Sequence, residues 1–383
     1  MDRTTGLSLV LALLIAYVFM NPIGGGPGPS PPATPPGTLP KLRGVQISPN
    51  NWRKTVGTTS FAIFIAQGYT SNDDFVKIKS YGLNCVEYQL WLSQLHKDPS
   101  EVDLLYVTTW VDQLVNWAED NQIYHIITID DVHDFETEKY GPYHMPSWMW
   151  MDLGVAKPTT VQQQAVIVRA FYDLENPKMD ASRQRFVNTW KFLAERYKNH
   201  EYAIYGLVNE PLHHSYGGIT SSEASRLGRH YSTFMTTVYD AVRGTGAQNP
   251  IFVDLTYMFI GDRYNHVFPI DRDITWEAHS YLSQTATNID SFKASIDNHV
   301  SKIVTGFGKP LYIGEYGCYY SSPQYAENSI NLVSQMVAYM KTKQLRGYGF
   351  YAWEYHEGEY ADFTSNVFNA DQSRRLFSVA GGV

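Results

Sequence analysis

Cysteine is almost missing from this chain of 383 residues, which carries only Cys85 and Cys318. A disulfide scaffold and a cysteine-based zinc site are both excluded by that count. Excess positive charge is missing too: 30 Lys and Arg stand against 38 Asp and Glu, a net charge of -8. Such a chain has no electrostatic footprint for a polyanion, so nucleic acid is not an expected partner. There is no glycine-rich phosphate loop of the form G-x-G-x-x-G or G-x-x-x-x-G-K-[ST], and no nucleotide cofactor is expected. His213 and His214 are adjacent but lack a third ligand at a recognisable spacing, so no metal is expected. Charged residues make up only 18% against 44% hydrophobic, which excludes a disordered chain. What is plentiful is aromatic: 28 Tyr, 18 Phe and 9 Trp exceed what a core needs and suggest a surface built to stack on flat apolar faces.

The N-terminus reads as a delivery device. Residues 7–20, LSLVLALLIAYVFM, form an apolar run shorter than the ~20 residues of a full membrane span. Residues 1–20 are therefore expected to be a signal peptide or a short retained membrane anchor, and the body a secreted or extracellular protein, tethered if the anchor stays. Residues 21–40 hold eight of the 19 prolines and read as an extended Pro/Gly linker. The remainder, 41–383, shows no repeat, second linker or long charge run, and is expected to be one domain acting as a monomer.

Within the body, eight short apolar or β-branched segments alternate with helical patterns. The segments are RGVQI (43–47), LNCVEY (83–88), YHIITI (124–129), AIYGLV (203–208), IFVDL (251–255), ITWEA (274–278), LYIG (311–314) and YGFYAW (348–353). Near-continuous apolar runs suit parallel strands buried on both faces. Helical spacing recurs at Phe186, Trp190, Leu193 and Tyr197, at Ile289, Phe292, Ile296, Val300 and Ile303, and at Ile330, Val333, Val337 and Met340. The pattern predicts an α/β fold, a (β/α)8 TIM barrel, with a doubly wound sheet as the competitor.

Barrels carry their chemistry at the C-terminal ends of the strands. There the fourth segment runs into Asn209-Glu210-Pro211 and the seventh into Gly314-Glu315-Tyr316-Gly317. Acidic residues are rarely buried unless paired or functional. Two carboxyl groups facing each other over a barrel mouth is what glycosidic bond cleavage requires.

The motifs resemble those of glycoside hydrolase family 5, clan A. LVNEP (207–211) is similar to the family's acid/base motif, which implies Glu210 as acid/base and Asn209 as a contact to the sugar. YIGEYG (312–317) is similar to the nucleophile motif and implies Glu315 as the nucleophile. His279 and Tyr281 match an H-x-Y after strand six, Asp131-Val132-His133 matches a D-x-H after strand three, and Trp353 matches the tryptophan under the cleaved sugar. His133, Asn209, His279, Tyr281 and Trp353 are thus the implied substrate-binding residues. The resemblance implies a retaining, endo-acting cellulase on β-1,4-glucan, with carboxyl groups ~5–5.5 Å apart. β-Mannanase is the alternative of the same fold, and a non-catalytic sugar-binding barrel the alternative of another class. One departure stands out: where the family has N-x-V-R, this chain has Asn84-Cys85-Val86-Glu87, and Arg43 is a candidate replacement for the missing cation. Segment 134–154, with Tyr140, Tyr143, Trp148 and Trp150, is either a cleft wall or a loop with its own small core.

Overall fold

The computed structural model describes residues 39–47, 71–95, 102, 104, 107–130, 145–212, 219–255, 263–319, 323–351 and 368–382. The chain divides into a unit at Met1–Pro32, outside the described residues, and a unit at Ala33–Val383 that contains everything that follows. The expected leader and most of the expected linker therefore lie outside the described residues. Among those described, no helix is long and apolar enough to cross a membrane.

Eight strands form: β1 Leu42–Ile47, β2 Cys85–Trp91, β3 Tyr124–Asp130, β4 Ala203–Gly206, β5 Ile251–Asp254, β6 Thr275–Ser283, β7 Leu311–Tyr319 and β8 Gly347–Phe350. Each pairs in parallel with the next, and β8 pairs with β1, closing the barrel. Closure excludes the doubly wound alternative, which needs two free edges. The strand limits differ from the sequence pattern in an informative way. β4 and β8 stop early, at Gly206 and Phe350. β6 and β7 instead run on to Ser283 and Tyr319. Their ladder steps from Ala278↔Ile313 to His279↔Glu315, leaving Gly314 as an extra residue, and then continues. A bulge of this kind re-aims the side chains beyond it. His279, Tyr281 and Glu315 thus lie inside a long paired ribbon rather than after the strand ends.

The main helices are α1 Asn72–Ser80, α2 Asp112–Asp120, α3 Ser147–Leu153, α4 Val161–Tyr172, α5 Asp180–Tyr197, α6 Ser221–Gly244, α7 Asp290–His299, α8 Ala326–Lys341 and α9 Ala370–Gly381. α5 buries Phe186, Trp190, Leu193 and Tyr197, and α8 buries Ile330, Val333, Val337 and Met340, as their spacing predicts. The pattern from Ile289 to Ile303 spans α7 and a π-helical turn at Val300–Gly306. Each fully buried large apolar side chain contributes ~1.5–3 kcal/mol to holding the helices on the barrel. Polar ties add direction. The Trp190 indole donates to the Leu207 carbonyl at 2.8 Å, fixing α5 to the chain leaving β4. The Tyr231 hydroxyl of α6 donates to the Asp254 carbonyl at 2.7 Å, fixing the end of β5.

Alternation along the strands sorts side chains to two faces. Val86, Tyr88, Leu90, Ile127, Ile129 and Tyr205 pack outward in the large cluster shared with the helices. Leu42, Cys85, Ile126, Ile204, Phe252 and Tyr312 form a separate apolar cluster inside the barrel. Two residues further along the strands, the interior turns polar, with Gln46, Glu87, Thr128, Asp254 and Glu277 all buried. The barrel has an apolar floor and a polar storey above it, and the site is built on that storey. Cys85 and Cys318 are both free and buried.

Two expectations are corrected. Arg43 does not replace the missing cation: its Nε donates to the Gly82 carbonyl at 2.9 Å, at the N-terminal side of β2. Trp148 is not an open stacking surface. It is 1% exposed and roofed by the Arg185 guanidinium at 5.4 Å, while Trp150 is partly buried against the same core. The described part of segment 134–154 is therefore a packed helix, and Tyr140 and Tyr143 lie outside the described residues.

Candidate active site

Glu315 leaves β7 just after the Gly314 bulge and is 5% exposed. Gly314 can only be glycine here. A Cβ at that position would lie 1.5 Å from Glu277 Oε1 and 2.4 Å from its Cδ, so the Glu277 carboxyl fills the space that a side chain would need. The carboxyl group of Glu315 accepts three hydrogen bonds. Gln46 Nε2 and Gln89 Nε2 donate to Oε1 at 2.6 Å and 3.0 Å, and the Tyr281 hydroxyl donates to Oε2.

Glu210 is placed from the other side. Its backbone φ is +39°, the left-handed region, immediately before Pro211, a combination that crowds the proline ring. Strain of this sort persists only when the surroundings impose it. Here Asp254 Oδ2 accepts the Glu210 backbone N–H at 2.7 Å, and Asn209 N–H donates to the Ile129 carbonyl at 2.9 Å. β5 and β3 thus clamp both sides of the turn. Asn209 is 5% exposed and Glu210 9%.

His279 of β6 lies between the two glutamates. Its Nδ1 is 2.7 Å from Glu210 Oε1 and 3.4 Å from Glu315 Oε2, while its Nε2 is 3.6 Å from Asp254 Oδ2 and 3.7 Å from Glu277 Oε1. Ligand atoms of Glu210, His279 and Glu315 all lie within 4.8 Å of one another. That spacing could hold a cation, and it equally lets one imidazole proton be shared between two carboxyl groups. β4 and β7 are separated by β5 and β6, and those two strands supply the groups that bridge the acids.

Burial is the main electrostatic force on these groups. It pushes the Glu315 carboxyl up to about 7, assisted by the nearby Glu210 carboxyl and opposed by His279 and the Tyr281 and Gln46 hydrogen bonds. Burial also drives Glu87 far above the ordinary carboxylate range, with Glu277 and Glu315 adding to it. Asp254 is raised well above its usual range by burial, against the pull of His279. One oxygen each of Glu87, Asp254 and Glu277 has no hydrogen-bond partner among the described residues. Burial thus favours the protonated forms of Glu87 and Asp254 among so many acids.

Of the residues expected from sequence, the structure brings Glu210, Glu315, His279 and Tyr281 together, with Asn209 beside Glu210. His133 and Trp353 lie outside the described residues, as do Asp131, His213 and His214. Sequence reasoning missed Gln46, Gln89, Asp254 and Glu277. The signal that could have found Gln89 is alternation: Cys85, Glu87 and Gln89 follow one another up the inner face of β2.

A closed parallel barrel that gathers two buried glutamates at one rim, bridged by a histidine, defines a paired-carboxyl barrel hydrolase. Residues 47–357 match the family model described as Cellulase (glycosyl hydrolase family 5). The chain belongs to glycoside hydrolase family 5. No curated protein matches the sequence. Among solved structures, an endogalactoceramidase is 20% identical over 82% of this chain and 71% of its own, with a TM-score of 0.60. A glycoside hydrolase family 5 enzyme from Prevotella bryantii B14 is 17% identical over 89% and 95%, with a TM-score of 0.62. A GH5-4 broad specificity endoglucanase from an uncultured bacterium is 17% identical over 88% and 93%, with a TM-score of 0.63. At such identities the likeness to these structures is one of fold.

Proposed function

We propose that this glycoside hydrolase is a retaining, endo-acting enzyme that cleaves β-1,4-linked glucan. Glu315 attacks the anomeric carbon, and Glu210 protonates the departing glycosidic oxygen. A covalent glycosyl-enzyme forms on Glu315. Glu210, now ionised, takes a proton from water, which releases the sugar with its original anomeric configuration. The observation that carries this reading is the closeness of the two acids. An oxygen of each lies within 4.8 Å of the other, which suits the ~5–5.5 Å carboxyl spacing of a retaining enzyme better than the ~6.5–9.5 Å of an inverting one.

The roles divide on the geometry of each glutamate. Glu315 is held by three donors, the arrangement that suits an anionic nucleophile. Glu210 shares a proton with His279, which suits a group that gives and takes one. Asn209, beside Glu210, is proposed to contact the substrate hydroxyl next to the reacting carbon, and His133 and Trp353 are proposed as further sugar contacts. A β-1,4-glucan is favoured by the matching family model, Cellulase, and by a solved structure of the same fold, 17% identical, in complex with cellopentaose. The apolar leader and the proline-rich segment support export of the domain, with a tether to the membrane if the leader is retained.

Glu210→Gln and Glu315→Gln are each expected to lower turnover of carboxymethyl-cellulose by ~10³-fold or more while leaving cello-oligosaccharide binding in place. Added azide should restore part of the rate on an activated aryl cellobioside for a Glu210→Ala variant, giving a β-glycosyl azide. Undiminished turnover in either glutamine variant would refute the assignment.

A further inference from the structure

Glu87 stands where the family resemblance puts an arginine, so some other group has to hold Glu315. The described parts of the strands surround that carboxyl with the following groups, Thr128 of β3 among them. β1 offers Gln46, β2 offers Glu87 and Gln89, the turn after β4 offers Glu210, β5 offers Asp254, and β6 offers Glu277, His279 and Tyr281. The described span of β8, Gly347–Phe350, offers only glycine and aromatic residues. Among the described residues no lysine or arginine pairs with Glu315.

Gln46 and Gln89 are placed differently from the acids around them. They come from neighbouring strands, are 1% and 6% exposed, and converge on the same oxygen, Glu315 Oε1, at 2.6 Å and 3.0 Å. Two N–H groups aimed at one side of a carboxylate is what a guanidinium edge would provide, here without its charge. Glu87 cannot share the task. In register with Gln46, its Oε1 accepts from the Thr128 hydroxyl at 2.9 Å, so its carboxyl is tied toward β3.

We propose that Gln46 and Gln89 are positioning residues for Glu315, a pair of neutral donors that orient the nucleophile in place of a fixed cation and leave its acid limb at higher pH than a cation would. The proposal rests on the reading of Glu315 as the nucleophile. Its pH consequence has a definite sign. A carboxylate beside a fixed cation ionises readily in acid. One held by amides, in an interior crowded with other acids, keeps its proton to higher pH, in line with a value of about 7 for Glu315. The attacking form is the ionised one, so kcat/KM falls as pH drops through that value.

The experiment uses the full chain and the variants Gln46→Leu, Gln89→Leu and Gln89→Lys, with circular dichroism and melting to verify folding. The probe is a 2-deoxy-2-fluoro-β-cellobioside with a dinitrophenyl leaving group, which labels the nucleophile without needing an acid. Labelling is followed by intact mass and located by peptide mapping, from pH 4 to 9. Each leucine variant should label ~10-fold or more slowly. Its acid limb should lie above that of the unmodified protein, because a donor to the charged form is lost. Gln89→Lys should move the limb the other way, below that of the unmodified protein. Identical limbs in all the folded variants, whatever their rates, would overturn the proposal. So would an acid limb near pH 4–5 in the unmodified protein, a readout that needs no variant to fold. Label on a carboxyl other than Glu315 would instead overturn the nucleophile assignment itself, and a negative result can therefore be attributed.

Discussion

Gly314 and Glu277 illustrate how much of this site depends on single residues. The glycine bulges so that Glu315 can turn toward the cleft, and the Glu277 carboxyl fills the space left by its missing side chain. Gly314→Ala is expected to reduce activity by ~100-fold or more and to lower the melting temperature, since the Glu277 carboxyl is 2% exposed and has nowhere to retreat. Adding Glu277→Ala should recover part of the lost stability, with a coupling of ~1–3 kcal/mol in a denaturant double-mutant cycle. Additive effects would show that the two side chains do not compete for this space. At this scale the sequence is legible where short motifs stand out from apolar runs: N-E-P, H-x-Y and G-E-Y-G point to Glu210, His279, Tyr281 and Glu315. Gln46, Gln89, Asp254 and Glu277 were not legible, because their part depends on which way a mid-strand side chain faces and on the register of a neighbouring strand. The arginine substitute was sought in Arg43 for the same reason. A basic residue is visible in a sequence, but its depth along the barrel is not.

Elements were read more reliably in kind than in extent. All eight strands were visible as apolar runs. Their limits were not, since β6 and β7 lengthen only because each continues the other's ladder past a bulge. The helices obey local rules more closely. α9 opens with a capping box in which Asn369 Oδ1 accepts from the Gln372 N–H at 2.9 Å and Gln372 Oε1 accepts from the Asn369 N–H at 3.0 Å. Asn369→Ala should cost ~1 kcal/mol, read as a shift in urea midpoint with unchanged slope. Catalytic constants should stay as they are, because the Asn369 side chain bonds within the cap at the start of α9. A loss of activity at full folding would mean that α9 reaches the site by a route not visible in its contacts.

The whole molecule carries a second buried polar centre at the opposite end of the barrel. His125, at the start of β3, is fully buried, stacks on Tyr88 at 5.9 Å and lies 3.9 Å from Glu119. Burial, with a smaller push from His200, lowers its pKa from 6.5 to about 3, and burial raises Glu119 to about 7, so the pair prefers to be neutral. The sign for stability follows. At His125 the unfolded chain takes up a proton below pH 6.5 and the folded chain does not, which costs stability as pH falls from 6.5 toward 3, while Glu119, protonated in the folded chain from about pH 7, offsets that cost until the unfolded carboxyl protonates near 4.5. His125→Phe, which keeps an aromatic ring against Tyr88, should gain stability relative to the unmodified protein as pH falls from 7 to 4 in urea titrations. An acid slope as steep as that of the unmodified protein would place the sensitive group elsewhere.

The central claim is that Glu210 and Glu315 act together on one bond with a covalent intermediate between them. Proton NMR of the first products released from a cello-oligosaccharide, recorded before mutarotation, tests that claim most directly. The account predicts that the new reducing end appears as the β anomer and decays toward the equilibrium mixture. An α anomer appearing first would mean single displacement by water and would contradict the account.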